Sequence, residues 1–194
     1  MLDKLNQDKT AVIIIDMEKA FVEPDGAHCI KGAKATVPAC NEVLEDARSL
    51  GIPVFFVKRI YRADGSDVEF TRFESWDRGG RAMGPDSTGN NSVEEPEGLE
   101  RNPEDYVIIK PRWSAFFQTE LDLILRRKGI DTIVLMGTTT PNCIRTTCYD
   151  GIALDYKVII LDKCTSSNTP EIQKANLEDM ARIGADIIYD YPSI

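Results

Sequence analysis

"TIVLMGTTTPNCIRTTCYDG", residues 132–151, decides the fold. Its opening residues are mainly apolar and β-branched, as in a strand buried on both faces. A glycine, three threonines and a proline then lead into a helical stretch that begins after Pro141. A strand passing through a short turn into a helix is the repeating unit of a parallel α/β sheet. The same alternation runs through the chain. "AVIIID" (11–16), "PVFFVK" (53–58), "YVIIK" (106–110), "KVIILD" (157–162) and "ADIIY" (185–189) are likewise nearly continuous in apolar character.

Helical patterns lie between most of these runs. Residues 35–51 put Val37, Cys40, Val43, Leu44 and Ala47 on one stripe that stops at Gly51. Residues 119–129 group Leu121, Ile124 and Leu125 and also stop at a glycine. Residues 170–185 turn Ile172, Ala175, Leu177, Met180 and Ala181 mostly inward. The expected fold class is α/β: a Rossmann-like, doubly wound, six-stranded, mostly parallel sheet with helices on both faces, in a single domain over 1–194. In such sheets ligands bind beyond the carboxyl ends of the strands, so the search for a site begins there.

Composition narrows the partners. A net charge of −9 argues against nucleic acid or an anionic membrane, which require a basic face. The first ten residues are polar and the run 11–16 is too short to cross a bilayer, so a cytoplasmic location is expected. The five cysteines, Cys29, Cys40, Cys143, Cys148 and Cys164, are scattered with no CxxC pair, which suits a reducing compartment. One histidine, His28, excludes any mechanism that needs two imidazoles; it lies in a loop with no evident partner and reads as a surface residue.

Residues 61–105 break the alternation. They are polar and turn-rich, and a connection of this length is usually a functional excursion, here a lid or a subunit contact. Phe70, Phe73 and Trp76 within it need packing partners, which predicts an ordered segment.

Three chemically capable residues fall at strand ends. Asp16 closes the first run, Lys110 closes the third, and Cys143 follows the fourth after a turn. With Thr140 as N-cap and Pro141 at the first helical position, Cys143 is third in its helix. Free N–H groups and the partial positive charge there favour a thiolate and can hold an oxyanion. A nearby lysine would favour thiolate and carboxylate together. Asp16 then replaces the missing histidine as base, accepting the thiol proton and returning it to a leaving amine. That role needs a desolvated carboxyl, because an ordinary aspartate is too acidic to take a thiol proton easily.

These residues also carry a resemblance. "IIIDMEKAFV" (13–22) resembles the D-M-x-x-x-F motif of the isochorismatase-like cysteine hydrolases, and residues 110–151 look like their central block, K-x-R-x-S-A-F followed by G-x-x-T-x-x-C. The resemblance covers most of the chain and implies the isochorismatase-like hydrolase fold. It implies Cys143 as nucleophile, Asp16 as general base and acid, and Lys110 as third member. It also implies a non-proline cis peptide at Thr138–Thr139 that aims the Thr139 N–H, with that of Cys143, at the oxyanion.

Three departures refine the expectation. Nicotinamidases of this family carry an Asp-x-His metal site after the second strand, whereas this chain reads "VKRIYRADG" (57–65), so no metal or other cofactor is expected. Isochorismatase proper lacks the nucleophilic cysteine. Tyr149 stands where the family often has arginine.

The expected activity is therefore metal-independent cleavage of a C–N bond in a small amide, carbamoyl or ureido compound through a thioester, by a homo-oligomer. Phe21 and Trp113 are candidate pocket walls, being close in sequence to Asp16 and Lys110. Arg112 and Arg145 are structural candidates, each with carboxylate binding as the alternative, and Cys148 and Cys164 are read as packing residues. A thiol redox sensor built on a low-pKa Cys143 is the competing reading, and a noncatalytic small-molecule-binding module on the same fold is another.

Overall fold

The computed structural model describes residues 1–193. Strands β1 (Thr10–Ile15), β2 (Val54–Lys58), β3 (Tyr106–Ile109), β4 (Thr132–Thr138), β5 (Lys157–Ser166) and β6 (Asp186–Ile188) form one sheet in the order β3-β2-β1-β4-β5-β6. Every pairing is parallel. The connecting helices are α1 (Lys19–Val22), α2 (Ala33–Ser49), α3 (Phe73–Arg78), α4 (Leu121–Arg127), α5 (Arg145–Ala153) and α6 (Pro170–Arg182).

Alternate strand residues feed opposite faces, as the pleat requires. Val12, Ile14, Phe56, Val134 and Met136 pack with the predicted α2 stripe. Ala11, Ile13, Ile15, Phe55 and Leu135 pack with α4, α5 and α6 on the other face. The chain winds outward from β1 through β2 to β3, then returns to lay β4 on the opposite side of β1. That reversal between β1 and β4 is the topological switch point, and it opens a crevice above their carboxyl ends.

Gly137 lets β4 lie tightly against β1 at this point. It has φ +110, a conformation L side chains rarely adopt, and an added Cβ would run into the carbonyl oxygen of Ile15. Gly137→Ala is therefore expected to destabilise by about 3 kcal/mol or more. Urea unfolding checks this; a midpoint unchanged from wild type would show that β4 can yield. Beyond Gly137 the ladder is irregular: β4 advances from Leu135 to Gly137 while β5 advances from Ile160 to Thr165, and Ser166 comes to rest beside Thr138.

Several expectations need correction. The outer strands are not covered on both faces: Val107 and Ile109 of β3 are 41% and 53% exposed, because β3 is an edge strand with little packed outside it. On α6 only Leu177 and Met180 are buried, and Ile172, Ala175 and Ala181 face outward. That helix meets the sheet near the three-residue β6, which offers little surface to cover.

The 61–105 excursion packs through Trp76, as expected, together with Tyr61, Val68, Met83 and Ala20. Phe70, expected to pack, is 97% exposed, and Phe73 is also exposed. The excursion is tied to the segment after β1 by Lys19 N–H to Glu94 O (2.9 Å) and Ala20 N–H to Ser92 O (3.2 Å). Among the described residues no helix is long and apolar enough to cross a membrane.

Candidate active site

Asp16 follows β1 directly. Its N–H extends the ladder by donating to Val57 O (2.9 Å), and its φ of +51 then turns the chain out of the sheet. Aspartate tolerates this left-handed region better than most residues. Lys110 follows β3 in the same way, its N–H donating to Lys58 O (2.9 Å). β3 is not a neighbour of β1: β2 lies between them, and the long lysine side chain spans the gap of about 10 Å. Both side chains are fully buried, and Lys110 Nζ stands 2.8 Å from Asp16 Oδ2. The same ammonium donates to Arg112 O (3.0 Å) and to Cys143 Sγ (3.6 Å), so three strand ends converge on one nitrogen.

The turn before Cys143 differs in detail from the sequence expectation. Residues Thr140–Ile144 form a π-turn with Thr139, not Thr140, at its N-cap, and Cys143 is the fourth residue of that turn. No threonine side chain caps it. Thr139 Oγ1 and Thr140 Oγ1 donate instead to Ser166 O (3.2 and 3.0 Å), and Ser166 Oγ donates to Thr138 Oγ1 (2.9 Å). The three threonines thus clamp the turn to the end of β5. The Thr138–Thr139 peptide is cis. Below the turn, Thr147 Oγ1 donates to Cys143 O (2.6 Å) and accepts from Ala115 N–H (2.9 Å), joining the Cys143 turn and helix to the loop after Lys110.

The charge state of the sulfur also needs correction. A lowered thiol pKa was expected; the Cys143 thiol is pushed up to about 12, first by burial and then by the Asp16 carboxylate, against the opposing pull of Lys110. Cys143 is 3% exposed, and this desolvation outweighs the helix-end effect inferred from sequence. Burial, the largest single influence, would lower Lys110, but the charge and hydrogen bond of Asp16 together with the Cys143 sulfur exceed it, and the lysine is raised above its usual value. The resting trio is therefore a neutral thiol beside a lysine ammonium that also contacts the Asp16 side chain. Such a thiol lacks the thiolate character that a redox sensor requires.

Sequence reasoning missed a second buried layer. Glu18 is fully buried and its Oε1 accepts the N–H of Arg59 (2.7 Å). Arg59, itself buried, pairs with Glu69, which accepts from Tyr61 Oη (2.8 Å), and its guanidinium lies over the rings of Tyr61 and Trp113. The available signal was position: Arg59 and Ser166 stand at the carboxyl ends of β2 and β5, where the strand-end rule applies equally. At the end of β2 stand Lys58, paired with Glu95, and Arg59, paired with Glu69, and among the described residues no three His, Cys, Asp or Glu side chains group as metal ligands.

The remaining candidates separate. Trp113 lies between Arg59 and Arg72 and lines a cavity of about 620 Å³ beside Pro141 and Thr146 on the Cys143 turn and helix. Phe21 packs instead against His28, 5.8 Å between ring centroids. His28 is half-buried rather than a surface residue, and its pKa is lowered by burial and then by Arg72 and Arg59. Arg112 donates to Asp67 O (2.6 Å) and pins the excursion. Arg145 and Tyr149 Oη both reach Asp179 (2.8 and 2.7 Å) and tie α5 to α6. Cys148 and Cys164 are buried, and Cys40 Sγ donates to Cys164 O (3.6 Å).

Comparison with known proteins fits this geometry. The isochorismatase domain family matches residues 10–189. A protein of Arabidopsis thaliana described as a probable inactive nicotinamidase is 41% identical over 90% of this chain and 89% of its own. The ureidoacrylate amidohydrolase RutB of Azorhizobium caulinodans is 30% identical over 87% of this chain and 81% of its own. A crystal structure of an isochorismatase family protein from Desulfovibrio vulgaris superposes with a TM-score of 0.87 at 40% identity, covering 92% of this chain and 93% of that one.

Proposed function

The chain belongs to the isochorismatase family, and from that premise we propose that it is a cysteine amidohydrolase that cleaves the C–N bond of a small carbamoyl, ureido or amide compound without a metal ion. One observation carries the reading. A single buried ammonium, Lys110, contacts both a carboxylate and a thiol at the switch point of the sheet.

In the proposed reaction the substrate carbonyl carbon meets Cys143 Sγ. Asp16 removes the thiol proton as the C–S bond forms, so no free thiolate is needed beforehand. The oxyanion is held by the backbone N–H groups of Thr139 and Cys143. Asp16, now protonated, gives its proton to the departing nitrogen as the C–N bond breaks. Water then attacks the thioester, with Asp16 again taking a proton, and the acid leaves as sulfur regains its hydrogen. Lys110 remains an ammonium throughout and orients the carboxylate.

The preference for ureido and carbamoyl compounds over nicotinamide rests on the residues at the end of β2. They supply cations where nicotinamidases have metal ligands, and the amidohydrolase relative supports the same direction. Ammonia release from a panel of primary amides, carbamoyl amines and ureido acids tests the proposal, with acid-quenched peptides mapped by mass. Turnover of a carbamoyl or ureido compound with an acyl adduct on the Cys143 peptide is expected. No ammonia from any member, or an adduct on another residue, would overturn it.

A further inference from the structure

Glu18 has a burial problem that the mechanism above does not use. It is fully buried, Oε1 accepts only the Arg59 N–H, and Oε2 has no partner among the described residues. The charged groups that face it come from three strand ends, Asp16 after β1, Lys58 at β2 and Lys110 after β3, and Arg59 reaches it through its backbone N–H. Each cation is already committed, Lys110 to Asp16, Lys58 to Glu95 and Arg59 to Glu69. An ionised Glu18 would be a second buried anion beside Asp16 with no counterion of its own.

We propose that Glu18 is a positioning residue that serves the Asp16–Cys143 pair as an uncharged carboxyl. Its oxygen fixes the backbone of Arg59 at the end of β2, and its neutrality leaves Asp16, paired with Lys110, as the one anion beside the sulfur's proton. Ionisation would set a second negative charge against Asp16 and disturb its proton exchange with the sulfur. The electrostatics agree: burial first, then Asp16, raise the Glu18 pKa well above the usual carboxylate range. The kinetic part of this inference rests on the amidohydrolase reading; the charge state does not.

Melting temperature against pH, for wild type and Glu18→Gln, reads the charge state without any turnover. In the unfolded chain Glu18 ionises at about pH 4.3, whereas in the folded protein it keeps its proton to higher pH. Folding therefore binds a proton in that window, and wild type loses stability as pH rises through it. Glutamine keeps the oxygen and has no proton to lose. The two proteins are expected to melt together near pH ~4 and to separate toward pH ~8, with Glu18→Gln the higher. A difference that does not change with pH, or one that grows in favour of wild type, overturns the proposal.

Kinetics supply the second arm. Glu18→Gln should hold kcat/KM within about threefold near neutrality and lose the alkaline decline of wild type, while Glu18→Ala, which strands the Arg59 N–H, should fall at least about tenfold. Equal losses in both variants, with the alkaline limb unmoved, overturn the positioning role. Absence of turnover in wild type bears on the amidohydrolase reading instead, and the melting comparison still decides the charge state.

Discussion

Asp16→Asn is expected to slow amide hydrolysis about a thousandfold while making Cys143 alkylate faster. The two effects have opposite signs because Asp16 acts on the sulfur in two ways. In the proposed mechanism it removes the thiol proton as a base during attack, which an amide cannot do. As a neighbouring charge it raises the thiol pKa, second only to burial, while Lys110 lowers it. Replacing the carboxylate by a neutral amide leaves the Lys110 ammonium 3.6 Å from sulfur without its partner, and the thiolate becomes its nearest available counterion.

In wild type, with the thiol pushed up to about 12, roughly one sulfur in ten thousand is ionised at pH ~8. The thiolate fraction, and with it the rate of iodoacetamide labelling of the Cys143 peptide, should rise in the variant. Ammonia release from the best substrate, measured on the same preparation, should fall. A variant that alkylates no faster than wild type would mean that Asp16 does not govern the sulfur's proton, and its assignment as base would fail with it.

How much of this was legible in the residues can be argued from particular positions. The apolar runs located all six strands, although only the inner strands are covered on both faces and the edge strands β3 and β6 are partly exposed. The strand-end rule brought Asp16, Lys110 and Cys143 to one place before any coordinates. Depth was not legible. The first turn of a helix lowers a cysteine pKa when solvent and free N–H groups surround it, whereas here Cys143 lies in a π-turn with almost no exposure, and desolvation dominates. Nor could the sequence show that Thr139 and Thr140 would spend their hydroxyls on Ser166, a residue more than twenty positions away, since the irregular step in β5 that brings it there leaves no local signal. Glu18 and Arg59 were overlooked because charged residues near strand ends normally face water. The folded excursion over residues 61–105, through Glu69 and Tyr61, encloses Arg59 together with Trp113.

Lys110→Met should lower stability by about 3–5 kcal/mol, because it removes one partner of a buried ion pair. Methionine keeps most of the aliphatic stem, so little packing is lost and the effect isolates the ammonium. That ammonium satisfies Arg112 O and faces both Asp16 and Cys143; without it the fully buried carboxylate has no cation in contact, since Arg59 is held by Glu69 and Lys58 by Glu95. For a protein of this size the loss corresponds to a fall in melting temperature of about 10 °C.

The double variant Asp16→Asn/Lys110→Met then decides the cause. If the penalty comes from an uncompensated anion, neutralising the anion should restore much of the stability, and the double variant should melt several degrees above Lys110→Met alone. If it instead comes from the lost bond to Arg112 O, or from imperfect packing of methionine, the second substitution should restore nothing. Because the same ion pair also contacts the sulfur, the stability cycle tests the geometry of the site without any turnover.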